Sequence, residues 1–81
     1  MAWTRHDMIR VLTEALDALG KRGTIVQVCE YIWKKYERKL RNSGDLFFTW
    51  QYDVRWAATI LRQQRKMKSA DLSGKGTWEL S

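Results

Sequence analysis

Apolar side chains recur at helical spacing through the first part of the chain. Met8, Leu12, Ala15, Leu16 and Leu19 fall on one stripe, which predicts an amphipathic helix over residues 4–19. Thr4 and Asp7 stand three residues apart at its start, the spacing at which each side chain satisfies the other residue's free backbone amide. Gly20 is placed to end the helix, because a residue without a Cβ enters the left-handed conformation at no steric cost. Just past Gly23 the pattern restarts. Thr24 and Gln27 repeat the capping-box spacing, and Ile25, Val28, Cys29, Ile32, Trp33 and Tyr36 make the buried face of a second helix. Lys34, Lys35, Arg38, Lys39 and Arg41 crowd its far end, where cations favour the helix dipole.

Asn42, Ser43, Gly44 and Asp45 interrupt the periodicity and predict a loop. A third helix is expected over residues 49–64, with Thr49 as its N-cap. Trp50, Val54, Ala57, Ala58 and Leu61 lie on its inner face, with Trp56 and Ile60 on the flank. The opposite arc carries Gln51, Tyr52, Arg55, Thr59 and Arg62. The pattern then changes from period 3.6 to period 2. Residues 67–70 and 77–80 predict two short strands around a glycine-containing loop at 71–76, with Trp78 and Leu80 on one side and Thr77 and Glu79 on the other. The expected fold is mainly α with a small β-hairpin: a winged helix-turn-helix of three helices and a C-terminal wing, one domain over residues 1–81.

Charge narrows the range of partners. Fifteen Lys and Arg against nine Asp and Glu give a formal charge of +6, which favours polyanions: nucleic acid, an anionic membrane surface or an acidic protein. The membrane ranks last, because the second helix spends its apolar face on the core. No stretch approaches the roughly 18 consecutive apolar residues of a membrane span, and the start lacks the apolar core of a signal peptide. With the single cysteine Cys29 unable to form an intrachain disulfide, a cytoplasmic protein is the expectation. Length alone leaves open whether the chain is one domain of a longer protein. Cys29 falls on a buried stripe and His6 in a first helical turn, too few ligands for a closed zinc site and without a third group to orient a catalytic pair. There is no phosphate-cradling GxxxxGK[ST] loop either. Neither enzymatic activity nor a cofactor or metal is expected.

From Thr24 onward a more specific pattern emerges. Tyr52-Asp53-Val54-Arg55-Trp56-Ala57, then Leu61, then Gly76-Thr77-Trp78-Glu79-Leu80 resembles the N-terminal winged-helix domain of Mrr-type restriction proteins. It is also similar to the winged-helix modules of nucleases that depend on methylated adenine. What the resemblance implies is binding of double-stranded DNA, sensing of adenine methylation, and a restriction or modification-dependent setting with a fused or associated nuclease domain. Where such modules carry Asn before the Val-Arg-Trp, this chain has Asp53. An ionised carboxylate only accepts hydrogen bonds and repels phosphate, so Asp53 is not expected to contact DNA as its counterpart would.

Nine residues make up the expected DNA interface: Thr49, Trp50, Gln51, Tyr52, Arg55, Thr59, Arg62, Lys75 and Arg38. Residues near the start of a helix lying in the major groove reach base edges, where Gln pairs with adenine and Arg with guanine. Tyr52 and Trp50 offer aromatic edges to an adenine methyl group, although Trp50 shares the Val54 stripe and its plainer role is core packing. Arg55 beside Trp56 has the spacing to lay its stem along the indole while its head reaches phosphate. Thr49, Arg62, Arg38 and Lys75, the last between Gly74 and Gly76 at the wing tip, would hold phosphates. The plainer reading of the same arc is an ordinary solvated helix face. An alternative function stays open: a winged helix that docks another protein and binds no DNA.

Overall fold

The computed structural model describes residues 2–81. Its elements run α1 (Asp7–Ala18), β1 (Arg22–Thr24), α2 (Ile25–Arg41), α3 (Leu46–Gln63), α4 (Ala70–Ser73) and β2 (Thr77–Glu79). The fold is mainly helical with one small antiparallel sheet.

α1 begins at Asp7, three residues past the expected start at Thr4. Only half of the expected capping box forms, because the Asp7 amide donates to the Thr4 carbonyl at 3.0 Å and not to its hydroxyl. The Thr4 amide donates to the Asp7 carboxylate at 2.7 Å, and Met8, Val11, Leu12, Ala15 and Leu16 are buried. Two successive left-handed residues end it, Gly20 and Lys21 at φ 83° and 73°, and the Lys21 amide donates back to the Leu16 carbonyl at 2.7 Å. The reversal feeds a strand that the hydrophobic pattern does not announce. Gly23 of β1 pairs with Trp78 of β2, and a Cβ on Gly23 would come within 3.0 Å of Leu19 Cδ1, so a larger residue there requires the Leu19 side chain to give way by a few tenths of an ångström.

α2 opens on the expected capping box. The Gln27 amide donates to Thr24 Oγ1 at 3.1 Å, and Gln27 Oε1 accepts from the Thr24 amide at 2.9 Å. The helix kinks at Tyr36 (φ −124°, ψ 19°). α3 corrects the sequence expectation: it starts at Leu46, three residues before Thr49, which sits inside the helix. Amides of Leu46, Phe47 and Phe48 donate to the carbonyls of Ser43, Gly44 and Asp45, so the loop winds directly into the helix while Leu46 enters the core.

The C-terminal segment differs more. Residues 67–70 do not form a strand. Met67 makes an isolated bridge to Leu80, the Lys68 amide donates to the Glu79 carbonyl at 2.8 Å, and Ala70–Ser73 is a helical turn. The buried Ser73 hydroxyl, 3.0 Å from the Ser69 carbonyl and 3.1 Å from that of Thr77, draws the turn closed. The main partner of β2 is therefore β1, in the register Arg22–Glu79, Gly23–Trp78 and Thr24–Thr77. One core joins the pieces: Leu12, Leu16, Ile32, Val54, Ala57 and Leu61 from the helices, closed by Met67 and Trp78 from the sheet end.

Candidate nucleic-acid interface

α3 is held from behind. Its inner residues Trp50, Val54, Ala57, Ala58 and Leu61 are buried, and helical periodicity turns Phe48, Gln51, Tyr52, Arg55 and Thr59 outward, all exposed. The side chains of Gln51, Tyr52 and Arg55 make no hydrogen bond or ion pair among the described residues, so their donors and acceptors are free for a ligand. Phe48 is 82% and Tyr52 71% exposed, two large rings one helical turn apart. The sequence reading omits Phe48 because it begins the helix at Thr49; the signal was its place four residues before Tyr52.

The other expected contacts divide. Trp50 is only 6% exposed and stacks on Trp33 at 6.0 Å with an interplanar angle of 11°, so it is a core residue and not part of the exposed outer arc of α3. Thr49 is exposed, but its hydroxyl donates to Asp53 Oδ2 at 2.7 Å. The Thr59 hydroxyl donates to the Arg55 carbonyl at 3.3 Å, within its own helix. Half-buried Arg62 donates through Nε to the Lys68 carbonyl at 3.1 Å and so ties the end of α3 to the segment before α4. Lys75 is exposed between two glycines of positive φ and has no side-chain partner among the described residues. Arg38 belongs to another surface. It lines a recess with Ala2, Lys35, Tyr36, Lys39 and Asn42, to which α3 contributes nothing.

Two polar arrangements were not legible in the sequence. Arg5 places its guanidinium 3.9 Å from the centroid of the Trp56 ring, the position expected of Arg55, and its Nε lies 4.0 Å from Asp53 Oδ1. On the far side, Glu14 of α1 accepts from the hydroxyls of Tyr36 (2.6 Å) and Tyr31 (3.3 Å) and from Lys35 Nζ (2.9 Å), all on α2. The Tyr36 bond, then that from Lys35, holds the Glu14 carboxyl below its ordinary pKa, and the same contact raises that of the Tyr36 phenol. This cluster clasps α1 to α2.

Between α2 and α3 runs a groove of about 560 Å³, walled by Val26, Cys29, Glu30 and Trp33 on one side and by Phe47, Gln51 and Arg55 on the other, with Trp50 at its base. Burial pushes the Cys29 thiol pKa up, against a smaller opposite pull from Arg55. Among the described residues no group of three His, Cys, Asp or Glu side chains is placed to hold a metal, and no helix is long and apolar enough to cross a membrane. No protein-family model, curated protein or solved structure matches the chain.

Proposed function

We propose that the chain is a winged helix-turn-helix module that binds double-stranded DNA, with α3 in the major groove and the segment around Lys75 on the backbone. The observation that carries this is the outer arc of α3, where Gln51, Tyr52 and Arg55 stand exposed with unspent polar groups on a chain of charge +6. The β1–β2 pair, extended by the Met67–Leu80 bridge, supports the wing part of the reading by setting the Gly74–Gly76 turn at one edge. Gln51 and Arg55 would read base edges. Lys75 would hold phosphate, with Thr49 and Arg62 contributing once their intramolecular bonds yield. Arg38 is a secondary contact at most, since it faces another recess.

Adenine methylation enters through Tyr52. Burying one methyl group against its ring is worth about 0.8 kcal/mol, or roughly fourfold in affinity. Trp50 drops out of this role because it is buried. In the restriction or modification-dependent setting that the sequence resemblance implies, the module binds and a fused or associated nuclease cuts; a cytoplasmic location goes with such work. No catalysis is assigned to this chain.

Fluorescence anisotropy with matched duplexes, unmodified and adenine-methylated, at two salt concentrations tests the proposal. Affinity should fall steeply with salt, by a log–log slope of about −0.9 for each phosphate neutralised. Arg55→Ala or Gln51→Ala should cost about 1–3 kcal/mol, and Lys75→Ala should lower the slope by about one. Unchanged affinity for every duplex in both α3 variants would refute the placement of α3. One observation favours a second reading, a protein-docking module: Phe48, Tyr52 and Leu72 are all more than 70% exposed. No duplex binding at low salt would bring that reading forward.

A further inference from the structure

The groove between α2 and α3 has features that docking of a paired duplex does not use. Three aromatic rings line it: Trp33 and Trp50 nearly parallel at 11°, and Trp33 and Phe47 at 28° with centroids 6.4 Å apart. Its volume, about 560 Å³, lies within the range of small-molecule sites, roughly 300–1,000 Å³. The polar groups along it are sorted by wall. α2 presents the Glu30 carboxylate; α3 presents the Gln51 amide and the Arg55 guanidinium. None of these three side chains makes a hydrogen bond or ion pair among the described residues.

A flat ring that stacks on the aromatic lining and satisfies both walls needs donors on one edge and acceptors on another. A carboxylate only accepts and a guanidinium only donates. Guanine is the base with this distribution: N1–H and the N2 amine side by side on its pairing edge, O6 and N7 on the other, the pair that Arg grips bidentately. In a duplex the pairing edge is occupied, and only an unstacked base can enter a groove beside the helix.

We infer that this groove is a binding site for an unpaired guanine of a nucleic-acid strand, stacked on Trp33 and Phe47, with its pairing edge on Glu30 and its O6/N7 edge on Arg55 and Gln51. The inference rests on the DNA-binding reading, because Arg55 and Gln51 belong both to the groove and to the outer arc of α3.

The test uses three duplexes of one sequence: fully paired, with one extra unpaired guanine, and with one extra unpaired adenine. The guanine-bulged duplex should bind about tenfold tighter than the paired one, toward the low end of what stacking one base on an aromatic side chain yields, and tighter than the adenine-bulged one. In Glu30→Ala and in Trp33→Ala the ratio of bulged to paired affinity should fall toward one. Glu30 is exposed, so its variant keeps the fold if Trp33→Ala does not. The ratio also cancels the general gain in DNA affinity from losing an acid. Equal binding of all three duplexes would overturn the inference and leave the DNA reading intact. If no duplex binds, the DNA reading fails and guanosine monophosphate decides for the groove. Shifts of the Trp33 and Trp50 indole N–H resonances larger than adenosine monophosphate produces would retain it, and their absence would overturn it.

Discussion

Trp50 and Phe48 sit two residues apart on α3 and should behave oppositely. Trp50 is 6% exposed, stacked on Trp33 and packed into the core; Phe48 is 82% exposed. Truncating a buried Trp to Ala removes its transfer free energy and leaves a cavity that the neighbours fill only in part, at a cost of about 3–5 kcal/mol. A domain of 81 residues has about 4–12 kcal/mol to lose, at roughly 0.05–0.15 kcal/mol per residue. Trp50→Ala should therefore remove much or all of the stability. In urea, with a slope near 1 kcal/mol/M for so small a chain, the midpoint should fall by about 3 M or the protein should be unfolded in buffer. Trp50→Phe keeps a ring in the site and should give an intermediate loss. Phe48→Ala should stay within about 0.5 kcal/mol of the parent, as surface substitutions do. Far-UV circular dichroism is the right probe, since it follows the helices and does not depend on the indole removed. Equal midpoints for Trp50→Ala and Phe48→Ala, or a larger loss for Phe48→Ala, would show that α3 is rotated relative to the core and would undo the assignment of its outer arc.

Two smaller tests address the helix starts and the α1–α2 clasp. Thr24→Ala removes one half of the capping box at α2 and should cost about 1 kcal/mol, a drop of roughly 4–8 °C in thermal midpoint, whereas Thr24→Ser should retain most of it. Glu14 is held below its ordinary pKa of 4.5, first by Tyr36 and then by Lys35, so its contribution is full above about pH 4.5 and is lost as pH falls through the lower folded value. Tyr36, raised above its ordinary 10.0 chiefly by its bond to Glu14, has the opposite sense: its contribution is present below pH 10 and lost as pH rises through the folded value. Thermal midpoints measured against pH should show Glu14→Gln losing less stability than the parent in acid, with parallel curves refuting the clasp. Some acid loss should persist in the variant, because Lys68 and Arg22 also lower the Glu79 pKa.

The helices were legible because their signals are local. The stripe of α1 needs only the 3.6-residue period, and the Thr24–Gln27 box marks the start of α2 to the residue. The start of α3 was missed because Asn42, Ser43 and Asp45 read as loop residues, and Asp45, at the N-cap, makes no side-chain cap; the turn from Ser43 to Asp45 leads into the helix through backbone bonds instead. β1 is three residues long with a glycine at its centre, and its partner β2 lies at the other end of the chain, so no window of sequence contains the pair. Ala70–Ser73 became helical for a related reason: the Ser73 hydroxyl reaches the Thr77 carbonyl, a contact that alternation cannot anticipate. In the site, Gln51, Tyr52 and Arg55 face outward as the helical wheel requires. Arg38 could not be placed from sequence, since which flank of α2 meets α1 is decided by the Glu14 cluster.

Asp53 shows how tertiary placement alters the charge that α3 offers. It is the only acid on a helix that also carries Arg55 and Arg62, and an exposed carboxylate at its position would repel phosphate. The structure withdraws it. Asp53 is 8% exposed, accepts the Thr49 hydroxyl, and has the Arg5 guanidinium nearby over the Trp56 ring. Arg5 comes from the turn before α1, so the N-terminal segment neutralises the acid from behind while Arg55 remains on the outer arc. A carboxylate at the position of Asp53 is then compatible with binding a polyanion, because its charge is compensated on the inner side of the helix. Asp53 thus braces α3 against the segment before α1, and the outer arc keeps its positive character.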